Sequence, residues 1–309
     1  MKVKFLSVAI VAGSVAFTSC DKNVTTVQNN DAPVRFTSGI NATPGSRATI
    51  DTDGNSLWET GDPVGIYMVG NGTTIVTEGN ANMKYTAAQD GASTAFTAVG
   101  ASIHYPLDEA QKVDFIAYHP HSEAVANFVY PIDLSTQTPQ TGIDLMTARA
   151  DKSGQGYTKA DGRTGGVVNL TFNHQLAKLV VNVTKDASVS GNITSVSITG
   201  MNTTANFDLK GDEGITSAGS PAAITPCTIT AEEKYEAILL PVALLTDAHT
   251  MTFITDGGET YTWKMYEQIS ELEAGKIYTY AINVTKYAVT ANGSINNWVT
   301  GSIGNGTAE

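Results

Sequence analysis

Few residues in this chain have the types and spacing that chemistry needs. Asp51-Thr52-Asp53-Gly54-Asn55, with Glu59 and Asp62 nearby, sets carboxylates at alternate positions, the spacing by which calcium loops turn oxygens inward. The glycine falls at the fourth place and not the sixth, and Leu57-Trp58 interrupts the ligands. The segment therefore reads as an Asx-type turn leading into a strand. His119-Pro120-His121 holds two imidazoles close together, with His104 elsewhere, but neither Cys nor an acidic residue completes a tetrahedral set. No metal site and no cofactor is expected. His174 lies inside Phe172-Asn173-His174-Gln175-Leu176, within the most apolar stretch, and reads as a satisfied core or interdomain histidine rather than a general base. Trp58, Trp263 and Trp298 could stack on sugars, but single aromatics on strands usually fill cores. Cys227, in the alternating segment Thr225-Pro226-Cys227-Thr228-Ile229, is expected to be a small buried residue.

Catalytic signatures are missing. There is no Gly-x-Ser-x-Gly elbow, no Walker loop, no His-Glu-x-x-His and no Gly-x-Gly-x-x-Gly after a strand. A glycosidase-like carboxylate pair is the enzymatic alternative, yet no sequence signal selects such a pair. The chain is not expected to be an enzyme. Two sites of modification remain. Lys2 and Lys4 precede an apolar run from Phe5 to Phe17, and Thr18-Ser19-Cys20 closes it. That run is too short to span a bilayer and fits a secretory segment, residues 1–19. Ending on cysteine resembles a bacterial lipoprotein signal, with Cys20 acylated; an ordinary signal peptide is the alternative. Arg47-Ala48, in Pro44-Gly45-Ser46-Arg47-Ala48-Thr49, offers a basic residue in a loop of small residues where proteases cut.

The elements that must carry these residues are strands. The chain has 309 residues, 41% of them hydrophobic and only 16% charged, so it can bury two cores of ordinary size and is not disordered. Its 18 basic against 30 acidic residues argue against nucleic acid and against docking on anionic lipid by charge. No run of 18 apolar residues exists to cross a membrane. Val34-Arg35-Phe36-Thr37-Ser38-Gly39-Ile40 alternates, placing Val34, Phe36 and Ile40 on one face. Further strands are expected at 63–69, 94–99, 112–118, 126–132, 193–199, 204–209, 224–230, 235–241, 250–255, 259–265 and 277–285. Residues 150–166, with five glycines, read as a long loop before the strongly apolar segment Val167–Val183, and Ser270–Gly275 could hold one helical turn. Short strands broken by turn residues at this spacing indicate sandwiches. The expected organisation is all-β: a sandwich over 48–170 and a second over 171–309, preceded by a tether and first strand over 20–47.

Several segments together resemble the fimbrillin family of Bacteroidetes pilins. They are Trp58-Glu59-Thr60-Gly61-Asp62-Pro63-Val64-Gly65-Ile66-Tyr67, Asp114-Phe115-Ile116-Ala117-Tyr118-His119-Pro120, and Leu170-Thr171-Phe172-Asn173-His174-Gln175-Leu176-Ala177-Lys178-Leu179. Leu272-Glu273-Ala274-Gly275-Lys276-Ile277-Tyr278-Thr279-Tyr280 and the closing Ile295-Asn296-Asn297-Trp298 complete the set. The resemblance implies two tandem transthyretin-like β-sandwiches, lipidation at Cys20, processing between Arg47 and Ala48, and a cell-surface, outer-membrane location. It also implies a head-to-tail pilus. Loss of the strand holding Val34, Phe36 and Ile40 leaves a groove, and another subunit's C-terminal strand fills it. The donor expected here is 287–303, with Tyr287, Val289, Ile295 and Trp298. The alternative is a non-polymerising surface lipoprotein or tip adhesin that binds glycan or a host or bacterial surface ligand.

Overall fold

The computed structural model describes residues 33–39, 49–50, 56–211, 213–286 and 289–298. In chain order the first strands are β1 (Phe36–Gly39), β2 (Thr49–Ile50), β3 (Ser56–Leu57), β4 (Pro63–Gly70), β5 (Met83–Ala87), β6 (Ala95–Ala98), β7 (Val113–His119), β8 (Val129–Asp133) and β9 (Met146–Ala150). Then come β10 (Val168–Thr171), β11 (Asn173–His174), β12 (Ala177–Lys185), β13 (Ile193–Thr199), β14 (Thr204–Asp208), β15 (Ile215–Ala218) and β16 (Cys227–Thr230). The last are β17 (Lys234–Leu239), β18 (Thr250–Thr255), β19 (Thr260–Lys264), β20 (Lys276–Val284) and β21 (Val289–Asn297). The only α-helix among the described residues is α1 (Lys159–Arg163), inside the segment expected to be a loop. Its five residues form because Asp161 reaches back to accept hydrogen bonds from the Thr158 N–H at 2.8 Å and hydroxyl at 3.1 Å, capping the turn. The expected turn at Ser270–Gly275 is not helical; a 3-10 turn lies just before it, at Met265–Glu267.

Eight strands form the first sheet in the order β10-β1-β6-β5-β4-β7-β9-β11. Its two ends are consecutive in the chain, since β10 passes through Phe172 directly into β11. The sheet therefore curls until its edges meet at Phe172, around a core that includes Val34, Phe36, Trp58, Ile66, Phe115 and Leu170. β4 and β7 do not alternate between buried and exposed. Val64, Ile66 and Met68 face this core, while Tyr67 and Val69 face another cluster on the sheet's outer side. Both faces being covered, these strands read as continuous apolar runs.

A second core lies between the five-stranded sheet β16-β17-β12-β20-β21 and the three-stranded sheet β13-β18-β19. Leu179, Val181, Phe253, Trp263, Tyr278 and Ile282 fill it. Inward residues alternate along β20, where Tyr278, Tyr280, Ile282 and Val284 are buried, as expected for a half-buried strand. Cys227 departs from expectation. It lies half-buried on β16, the outer strand of its sheet, with Ile229 exposed beyond it, because among the described residues only β17 pairs with that strand.

The third cluster lies on the outer side of the first sheet, where β8 pairs antiparallel with β14, from Thr204↔Asp133 to Asp208↔Val129. Tyr130, Ile132, Leu134, Phe207, Ile238 and Trp298 share the cluster. Gln137 fastens it. Its side-chain amide donates to the Leu134 and Ile238 carbonyls at 2.9 and 3.0 Å and accepts the Ile238 N–H at 2.8 Å, all buried. Gln137→Leu should therefore lower stability by about 2–4 kcal/mol, because it strands a buried N–H and C=O of Ile238. Urea denaturation checks this; an unchanged midpoint would mean that water replaces the amide.

Candidate functional site

β1 occupies an interior place in the first sheet. It runs parallel to β10, from Phe36↔Val168 to Gly39↔Thr171, and antiparallel to β6 at Phe36↔Phe96 and Thr37↔Ala95. Alternation turns Val34, Phe36 and Ser38 inward and leaves Arg35 exposed. Phe36 is 2% exposed and meets the rings of Tyr85 and Phe115 edge-on, with centroids at 5.3 and 5.1 Å. Ser38 pairs with Thr94: its N–H donates to the Thr94 carbonyl at 2.8 Å, and its hydroxyl accepts the Thr94 N–H at 3.1 Å. The Val34 N–H donates to the Ile103 carbonyl at 2.9 Å, and the Val168 N–H to the Arg35 carbonyl at 2.8 Å. A strand withdrawn from this place leaves two ladders open and an apolar slot between them.

The C-terminal strand is held very differently. β21 pairs only with β20, from Lys276↔Asn297 to Val284↔Val289, and forms the outer edge of its sheet. Seven of its nine residues are exposed, including Ile295 at 52%; only Val289 and Ala291 lean on the second core. Gly293 lies beneath the Tyr280 ring, where a Cβ would collide with it. Trp298 follows and is only 5% exposed. Its ring stacks on His174 at 3.9 Å and 9°, with the Lys178 Nζ 6.0 Å from the ring centroid, and the Trp298 backbone N–H donates to the Gly275 carbonyl at 2.6 Å.

Two polar pairs line the Trp298 seat. The His174 Nδ1 lies 2.9 Å from an Asp144 oxygen, while its Nε2 is buried without a hydrogen-bond partner among the described residues. Lys178 and Glu236, diagonal neighbours on β12 and β17, meet at 2.6 Å with both side chains buried. Burial pushes the Glu236 carboxyl up, but Lys178 and Lys234 together outweigh it and hold it below its ordinary value. His119 is buried beside Trp58, and because a carbonyl only accepts, its Nδ1 carries the proton donated to the Pro63 carbonyl at 3.0 Å. Burial lowers the His119 pKa from 6.5 to about 4, outweighing the pull of Asp144. The unfolded chain then binds a proton that the folded chain refuses between these values, so stability falls as pH falls through this window. His119 should contribute about 3 kcal/mol to that loss between pH 7 and pH 4. Urea midpoints against pH check this, and His119→Gln should flatten the curve.

The residues singled out in the sequence thus come from both ends of the chain. Val34 and Phe36 sit together in the slot; Val289, Ile295 and Trp298 lie along and beyond β21. Cys20, Ile40, Arg47, Ala48 and Tyr287, together with the acidic turn at 51–55, lie outside the described residues. Trp58, Trp263 and Trp298 are all buried, so none is a platform for a sugar. Among the described residues no group of His, Cys, Asp or Glu is arranged to hold a metal. Sequence reasoning missed Ser38, which alternation with Phe36 could have revealed, and the Asp144 and Lys178 partners, which nothing local marks.

Comparison with known proteins adds the family. Residues 46–298 match the model of the fimbrillin-like family. A candidate fimbrium subunit of Bacteroides uniformis, Fim1C, is 33% identical, with 99% of each chain covered. The crystal structure of a candidate cell adhesion protein from B. uniformis superposes with a TM-score of 0.72 at 31% identity, covering 88% of this chain and 99% of that one. A similarly described protein from Bacteroides ovatus, at 19% identity and a TM-score of 0.64 over 87% and 99%, shares the fold. With the all-β architecture and a match over most of its length, the chain belongs to the fimbrillin-like family.

Proposed function

We propose that this protein is a subunit of a cell-surface fimbria, built by strand exchange. It is exported as a lipoprotein acylated at Cys20, anchored in the outer membrane, and cut between Arg47 and Ala48. Its body comprises two sandwich domains that divide near residue 170. The cut releases the segment carrying Val34, Phe36 and Ile40. The C-terminal segment of another copy, residues 287–303, then enters the slot through Tyr287, Val289, Ile295 and Trp298. The contact is head-to-tail, so it propagates as a filament, and the filament supports adhesion.

One observation supports this reading above the others: the strand proposed to leave is interior, flanked by β10 and β6, while the strand proposed to arrive is an exposed edge. A vacated interior position offers backbone donors and acceptors on both sides, and an incoming strand restores both ladders. Refilling the Val34 and Phe36 positions returns roughly 3–6 kcal/mol gross, part of which orders the strand. The mature N-terminus, read by mass spectrometry on protein taken from cells, tests the processing. Ala48 is the expected first residue, and Arg47→Ala should abolish it. Mature protein that carries only an acylated Cys20 would contradict the reading.

A further inference from the structure

Resting on the strand-exchange reading, we infer that β1 and the C-terminal strand are coupled within one molecule, so that loss of β1 unlatches β21. The coupling segment is 168–174. β10 pairs with β1 and with no other strand, over four consecutive positions from Phe36↔Val168 to Gly39↔Thr171. One residue later the chain becomes β11, whose ladder to β9 is two residues long. Phe172 connects them, wedged against Trp58 and Phe96 at 5.2 and 6.0 Å. Phe96 is itself the β6 partner of Phe36. His174, at the end of this segment, is the platform on which Trp298 stacks.

The device works because β21 depends on that stack. Its ladder is one-sided, most of its side chains face solvent, and Gly293 offers no side chain to the core. Among the described residues Trp298 is the one large buried residue at its end. Beneath Trp298 lie His174, bonded to Asp144, and the buried ion pair of Lys178 with Glu236, so leaving the seat rehydrates that ion pair and offsets part of the lost ring contact. With β1 in place, β10 is held, His174 keeps its angle and Trp298 stays docked. Without β1, β10 becomes a free edge, His174 shifts and the tail is released. An uncut subunit therefore keeps its tail at home, and cutting produces an empty slot and a free donor together. Coupling of this kind is reciprocal by linkage.

Hydrogen exchange on the unassembled, uncut chain tests it, apart from any polymerisation. Phe36→Ala should raise amide exchange in 289–297 at least tenfold, with β13, β18 and β19 unchanged. Trp298→Ala should raise exchange in β1 and β10 in return. Gly293→Val, which displaces β21 through the Tyr280 ring, should do the same should Phe36→Ala fail to fold. In His174→Ala, β21 should exchange fast whether or not β1 is weakened. If β21 keeps its protection while β1 and β10 lose theirs, the coupling is overturned. A positive exchange result in a protein that never polymerises would uphold the coupling and sink the strand-exchange reading instead.

Discussion

Phe36→Ala should destabilise the chain by about 3–5 kcal/mol, the cost of removing a large aromatic from a close-packed core. The ring is 2% exposed and locked edge-on between Tyr85 and Phe115, two strands' worth of side chains that cannot collapse together without moving β5 and β7. Arg35→Ala, one residue away and pointing outward, should change stability by less than about 0.5 kcal/mol. The contrast between neighbours makes this a test of the slot and not of the segment in general. Urea denaturation of both variants reads it directly. Similar small effects from both would mean that β1 lies on the sheet without anchoring it.

The second large effect concerns the seat of Trp298. Glu236→Ala leaves the Lys178 ammonium buried beneath the indole with its closest carboxylate gone, whereas Lys178→Ala leaves Glu236 with the more exposed Lys234 at 3.1 Å. Glu236→Ala should cost about 3–5 kcal/mol, and Lys178→Ala less, because Lys234 still faces the carboxylate. Replacing both together, as Lys178→Met with Glu236→Leu, should cost far less and could stabilise, because the desolvation of both charges is removed at once. Lys234 also contacts Glu236 at 3.1 Å but is more exposed, and it retains solvent when the carboxylate is lost. A double-mutant cycle measures the difference; additive single and double losses would show that the pair is solvated in the folded protein.

Much of the architecture is legible in local pattern. β1 announces itself through Val34 and Phe36, and β20 through Tyr278, Tyr280, Ile282 and Val284, because a half-buried strand repeats every second residue. Other elements are not visible in this way. β5 turns only Tyr85 and Ala87 fully inward, too short a pattern to register. α1 depends on the reach of Asp161 to Thr158, which glycines on either side disguise. The Cys227 segment alternates correctly and still lies open, because alternation reports which side of a strand is apolar and not whether anything covers it. The seat of Trp298 was the least legible feature. Its members come from three strands, β11, β12 and β17, and from the loop before β9, and the β11–β9 and β12–β17 ladders that draw them together are properties of tertiary packing alone.

Strand exchange itself is tested by trimming purified protein with limited trypsin at Arg47 and running it, unboiled, on SDS gels. A regular ladder should appear, and a chain truncated after Lys286 should give monomer alone while still accepting the tail of an intact partner. Protein cut cleanly at Arg47 that remains monomeric, or a ladder that persists when residues beyond Lys286 are absent from every copy, would contradict the exchange.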